Sequence, residues 1–190
     1  MKPSPPDPEQ TLLASDFTVA RYKAMRDAAD QTAIADAIKR RFTERYIRPP
    51  SAKDTSGFTI MAISCLMIEA LESFHQGWDS SNGRSQSAFC FFFDREDLFR
   101  DFRGRGQQFY KNVRCGILHQ AETTAGWRIL KVGALLEAGP PPTINAVEFR
   151  DRLEKVLNAY CAALCAAEWT GQQWKQTREK MNTICDNCRP

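Results

Sequence analysis

One arginine and one histidine, five residues apart, carry the chemistry this sequence suggests. His119 is one of two histidines in the 190 residues. It closes the run Phe109-Tyr110-Lys111-Asn112-Val113-Arg114-Cys115-Gly116-Ile117-Leu118-His119-Gln120. Imidazole titrates near neutrality and can take and return a proton, whereas guanidinium stays charged and forks onto two phosphate oxygens. Metal-free RNA cleavage needs a base for a ribose 2′-hydroxyl and a cation for the charge that builds on the phosphate. Arg114 and His119 supply both, so they form the candidate catalytic pair, and the chemistry calls for no metal or other cofactor.

The residues leading into this pair are basic. Between residues 100 and 114, Arg100, Arg103, Arg105, Lys111 and Arg114 face only Asp101, a local excess larger than the chain's net charge of +3. Phosphate is the natural ligand of such a tract, which makes Arg100, Arg103, Arg105, Lys111 and Asn112 the expected RNA contacts. A solvated helix face is the other reading of the same charges. For His119 itself, the alternative to a catalytic role is a half-buried ring bonded to a backbone carbonyl.

Geometry sets a condition on the pair. Residues five apart on a regular α-helix lie about 140° from each other and do not share a face. Either the helix distorts or ends here, which Gly116 inside the spacing would permit, or a twofold dimer lines up two copies of the pair along one cleft.

The surrounding sequence predicts helices to carry these groups. Ile34, Ile38, Phe42 and Tyr46 recur every four residues and mark a core-facing helix that Pro49-Pro50 must end. A second helix over residues 58–77, capped from Asp54-Thr55-Ser56, is apolar nearly all round and should be central. Glu69 is its exception. Its helical neighbours Ala62, Cys65, Leu66 and Ser73 are small or apolar, so the carboxylate is either partly buried and in need of a partner, which an arginine would supply, or at the helix's wet edge.

Residues 78–86 read as a loop. Phe89, Phe92, Phe93, Phe99 and Phe102 then resume helical spacing as a core stripe, and Gly104 and Gly106 break it before a new helix near Gln107. Rough alternation predicts a small β-hairpin over residues 127–137. The last long helix starts at Asn145, with Glu148 as capping-box partner and Ile144 stapled against Phe149. Leu153, Val156, Leu157, Tyr160 and Leu164 continue its face to about Trp169, and Gly171 interrupts the helical stretch that follows.

Composition bounds the class. At 43% hydrophobic and 26% charged residues the chain can bury a core and is not disordered. Seven cysteines, an odd number, with a polar proline-rich start, point to a reduced cytoplasm. The longest apolar run is interrupted by Glu69 and Glu72, and no membrane span is expected. The expected organisation is a loose leader over residues 1–15, a single mainly α domain over 16–184 and a C-terminal tail over 185–190.

The stretch around Arg114-Cys115-Gly116-Ile117-Leu118-His119 resembles the HEPN superfamily, all-α proteins whose signature is an arginine, four to six intervening residues and a histidine. The likeness takes in the upstream helix bearing Glu69 and the long helix after residue 144. It implies a HEPN-like helical bundle and a metal-independent endoribonuclease that acts as a homodimer in toxin–antitoxin, phage-defence or RNA-processing roles, with an antitoxin or defence-system protein as a further partner. It also implies His119 as base, Arg114 as phosphate stabiliser and Glu69 as a polar supporting group. Two positions depart from the family pattern: Cys115 stands where many members have a polar residue, and Ala121 where one toxin subset has a tyrosine. A catalytically silent HEPN-like module that binds RNA or protein is the alternative, and a helical scaffold in which Arg114 and Glu69 form only a structural ion pair is a third reading.

Two further features have bland readings. His75 is expected at a helix end, favoured by the dipole. Cys185-Asp186-Asn187-Cys188 with Cys161 and Cys165 could close a zinc site, against which stand the helix face bordering Cys161 and the terminal position of the CxxC.

Overall fold

The computed structural model describes residues 7–189, and it is mainly α-helical with two small sheets. The helix expected from Ile34 to Tyr46 is α2 (Gln31–Phe42), prolonged by a π-helical turn, Thr43–Ile47, that stops at Pro49. Ahead of it lies α1 (Val19–Asp27). The centre is α3 (Gly57–Gln76). Ser56 caps its N-terminus by accepting from the Thr59 N–H at 3.1 Å, and Gly77 ends it in a left-handed conformation. Although α3 is long and apolar enough to cross a membrane by length and composition alone, its residues are mostly buried inside the fold.

The aromatic stripe fills the interior beside α3. Helix α4 (Ser85–Arg95) carries Phe89, Phe92 and Phe93, and a 3-10 segment, Asp97–Phe102, carries Phe99 and Phe102. All five rings are sealed from solvent, as are Phe109 and Phe149. Phe93 stacks on Phe102 at 4.8 Å between centroids, and Phe109 lies nearly parallel to Phe149 at 5.7 Å. The spacing predicts a continuous helical stripe, but the segment from residue 97 tightens to 3-10 and Phe99 leaves helical geometry. Helix α5 (Gly106–Phe109) returns so close to α4 that a Cβ on Gly106 would lie 2.6 Å from the Cys90 Cα.

The expected hairpin over residues 127–137 does not form. β3 (Arg128–Leu130) and β4 (Leu136–Glu137) each pair with β5 (Thr143–Asn145) between them, β3 in parallel and β4 antiparallel. Asn145 ends that central strand and caps α7 (Ala146–Ala166), its Oδ1 accepting from the N–H groups of Val147 and Glu148. The reciprocal half of the capping box is not made, because the Glu148 carboxylate takes Arg152 at 2.8 Å. Helix α7 ends three residues before Trp169, and α8 (Gln172–Asp186) starts at Gly171 and packs on α3.

Both ends depart from the expected organisation. Of the expected leader, residues 1–6 lie outside the described residues. Residues 7–15 include β1 (Leu12–Ala14), which pairs with β2 (Phe17–Thr18), and Leu13 is buried. Two apolar side chains and a carbonyl bonded to Arg41 anchor this strand, and Ser15 is tied to the Glu44 carboxylate. At the other end α8 runs to Asp186 with Cys185 buried in the core, so the tail assigned to residues 185–190 begins as helix.

The core holds a second carboxylate of the same helix besides Glu69. Glu72 is 0% exposed and takes a bidentate bond from Arg95, at 2.9 and 2.8 Å, with Gln76 donating to the same group. Next to them His75, expected at a helix end and favoured by the dipole, stands in the last turn of α3 but turns inward. Its ring meets the edge of Tyr160 at 4.5 Å and its Nε2 is buried with no hydrogen-bond partner among the described residues. Burial, helped by the nearby Arg95 charge, pushes the imidazole down to about 3, so the ring is neutral and gains nothing from the helix dipole.

That shift has a consequence for acid stability. An unfolded histidine titrates at about 6.5, so below that pH the unfolded chain takes up a proton that the folded chain refuses. The stability His75 contributes is complete above the unfolded value and is lost as pH falls toward about 3. At pH 5 the loss is about 2 kcal/mol. His75→Phe, which keeps a ring against Tyr160, is expected to remove that part of the acid slope in urea unfolding at pH 7 and pH 5. An unchanged slope would mean that His75 protonates within the folded protein.

Candidate functional site

Helix α5 runs through a second π-helical turn, Tyr110–Arg114, into α6 (Cys115–Gln120), so the arginine and the histidine sit at opposite ends of one short helix. The π turn widens the backbone just before Arg114, where Cys115 N–H bonds to the Tyr110 carbonyl. Distortion is therefore present, but upstream of the spacing and not at Gly116. From Arg114 to His119 the chain is ordinary α-helix, which keeps the two about 140° apart around the axis.

Gly116 has another task. A Cβ there would lie 2.5 Å from the Glu122 carbonyl oxygen and 3.2 Å from the Thr123 Cα, so only glycine lets the following loop close over α6. Asn112 holds the same loop from the π turn. Its carbonyl accepts the Thr124 N–H and its Oδ1 accepts the Thr124 hydroxyl, both at 2.9 Å. Asn112, expected as an RNA contact, is thus engaged in fixing the loop.

Arg114 is anchored by Glu69. The carboxylate is 6% exposed, and its Oε1 accepts from Arg114 Nε at 2.8 Å. Its Oε2 accepts the hydroxyls of Ser81, at 3.1 Å, and Ser85, at 2.7 Å. The need for a partner, read from the small apolar neighbours of Glu69, is met by this arginine. Both serines lie within residues 78–86, the stretch expected as a loop, although α4 already begins at Ser85. Burial works against the Arg114 charge, yet its hydrogen bond and attraction to Glu69 outweigh this and raise its pKa above the ordinary arginine value.

The Arg114 guanidinium also lies 5.6 Å from the Tyr110 ring centroid. Interaction with the Cys115 side chain, together with burial, lifts the Tyr110 phenol above its usual range. Only Nε of the guanidinium is committed. Its two terminal amino groups make no hydrogen bond among the described residues, which leaves the fork that a phosphate would take.

His119 is exposed in the last turn of α6, next to Leu118, and makes no hydrogen bond among the described residues. It is neither sealed in the core nor bound to a backbone carbonyl. The basic tract is less uniform than its sequence suggests. Arg103 pairs with Asp97, whereas Arg100 lines a groove that also holds Asp101, Glu148 and Arg152. Arg100, Arg105 and Lys111 form no ion pair among the described residues, and Lys111 is exposed on the π turn beside Arg114.

Cys161 and Cys185 are buried in the core, whereas Cys165 is exposed and Cys188 half-buried. Burial pushes the Cys161 thiol up to about 12 and the Cys185 thiol up to about 11. Among the described residues no three His, Cys, Asp or Glu side chains converge as a metal site would require. No family model, curated protein or solved structure matches this chain, so its own residues carry the functional argument.

Close approach at Gly116 yields a stability change of unusual sign. Glycine to alanine inside a helix normally stabilises by about 1 kcal/mol. Here Gly116→Ala is expected to destabilise by about 1–3 kcal/mol, because the new methyl must displace backbone. Chemical denaturation reads the difference, and a more stable variant would show that the 122–124 loop does not press on α6.

Proposed function

We propose that this protein is a metal-independent endoribonuclease of HEPN type, with His119 as general base and Arg114 as the cation that stabilises the phosphate. The observation that carries this reading is the state of Arg114: a buried carboxylate fixes one nitrogen while two amino groups stay open, one short helix away from an exposed histidine. In the proposed step His119 takes the 2′-hydroxyl proton and the oxygen attacks the neighbouring phosphorus. The P–O bond to the next nucleotide breaks and the imidazolium of His119 returns the proton to the departing 5′ oxygen, leaving a 2′,3′-cyclic phosphate and a 5′-hydroxyl. Arg114 bears the charge on the non-bridging oxygens as the transition state forms. Lys111, Arg105 and Arg100 would meet the flanking phosphates.

Because the α-helical path from Arg114 to His119 separates the two around the axis, the reading includes a homodimer in which the base of one copy and the arginine of the other face one phosphate. The surface around α6 supports this arrangement. Leu118, beside His119, is 43% exposed, and Ile117 and Ala121 border a shallow groove with Phe58, Thr59 and Ala62 of α3. A cytoplasmic location, and control by an antitoxin or another defence-system protein, belong to the same proposal.

The second reading is a catalytically silent module that binds RNA or protein. The Glu69–Arg114 pair favours it to this extent: a buried pair is required by the fold whether or not chemistry follows. Cleavage of RNA in EDTA separates the two readings. The nuclease is expected to leave cyclic-phosphate ends, and His119→Ala to slow cleavage by about 10²- to 10⁴-fold while the melting temperature holds. Salt-sensitive RNA binding without any cleavage would establish the silent module, and cleavage unchanged in His119→Ala would remove the histidine from the mechanism.

A further inference from the structure

Glu69 also borders a cleft of about 350 Å³ that neither the nuclease reading nor the fold explains. It opens between α2 with its π turn, the middle of α3, the loop after α3, and α8. Two cations reach into it, Arg41 and Lys180. Neither forms an ion pair among the described residues. Arg41 donates one bond to the Leu13 carbonyl at 2.6 Å, and Lys180 donates to the Asp79 carbonyl at 2.8 Å.

Of the two carboxylates at the cleft, Glu69 is matched by Arg114, whereas Asp79 is exposed, accepts the Ser80 N–H at 2.7 Å and attracts Lys180 without forming an ion pair with it. Burial holds both cations below their ordinary pKa values. Arg41 adds to the shift at Lys180, which Asp79 partly opposes, and Arg45 adds to the shift at Arg41. Half-buried positive groups with no salt-bridge partner among the described residues are costly, and an anion between them would relieve that cost.

The rest of the lining limits what such an anion carries. Tyr46 is half-buried on the wall, with Phe42 and Phe74 behind it, and Ser80 stands exposed on the rim. A face of aromatic carbon beside two cations suits a flat, apolar body attached to a doubly charged head. The volume falls at the low end of small-molecule sites, which span about 300–1,000 Å³.

We propose that this cleft binds a phosphorylated small molecule with an aromatic body, of mononucleotide size, its phosphate held by Arg41 and Lys180 and its ring against Tyr46. This site is distinct from the Arg114–His119 pair and does not depend on nuclease activity.

Calorimetric titration of the full chain with AMP, adenosine and inorganic phosphate tests it. AMP is expected to bind saturably, with adenosine and phosphate each binding more weakly. Lys180→Met removes a charged hydrogen bond and is expected to weaken AMP by about 10- to 100-fold. Should that variant unfold, Ser80→Glu on the exposed rim adds a repelling charge without touching the core and should weaken AMP as well. His119→Ala should leave AMP affinity unchanged. Absence of saturable AMP binding, adenosine binding as tightly as AMP, or affinity lost in His119→Ala but kept in the Lys180 and Ser80 variants would each overturn the proposal.

Discussion

A carboxylate inside an apolar helix is tolerated only when its oxygens have donors; α3 carries two such groups, and Glu69 is the one that positions the candidate site. Moving a charge out of water costs several kcal/mol per ion, and removing one partner of a buried pair costs about 3–5 kcal/mol. Glu69 is satisfied from three places: Arg114 at the end of the π turn, Ser81 in the loop after α3, and Ser85 at the start of α4. These contacts span residues far apart in the chain, so the arginine is placed by the whole helical assembly and not by its own short helix. A guanidinium held this way keeps its position without freezing the nitrogens that face outward.

The segment carrying the candidate chemistry is fixed on its other side as well. Gly116 lets the 122–124 loop lie against α6, and two bonds donated by Thr124 to Asn112 hold that loop. Arg114 and the backbone beneath His119 therefore belong to one rigid unit, while the imidazole itself remains exposed. Fixed backbone with open side-chain nitrogens is what catalysis by positioning needs. It serves equally for recognition of a nucleic-acid backbone, which is why chemistry, and not geometry alone, decides between the two readings proposed above.

Much of the fold was legible in the amino-acid order. α2, α3 and α7 are long and periodic, and Ser56 and Asn145 mark two of their starts, so pattern and cap agree. The partner of Glu69 was legible in kind, because small apolar neighbours leave a carboxylate no solvent. What escaped reading depends on distant contacts. β5 is three residues long after a run of prolines, and its role as the central strand appears only once β3 and β4 flank it. The β1–β2 pair is equally short, and Leu13 is core only because α2 covers it. His75 stands near a helix end in sequence, but Tyr160, eighty-five positions later, turns that end into interior. The π turn before Arg114 leaves no trace in side-chain spacing, whereas Gly116, the residue whose type suggests a distortion, lies in regular α-helix.

The position of Arg114 depends on its coupling to Glu69. A double-mutant cycle with Glu69→Ala, Arg114→Met and the combined variant, followed by urea unfolding at neutral pH, measures it directly. Each single change is expected to cost about 3 kcal/mol by leaving a charge or an anchor without its partner. The double variant should cost clearly less than their sum, giving a coupling of at least about 1.5 kcal/mol. Additive effects, with no coupling between the two sites, would contradict the claim that the buried carboxylate positions the arginine.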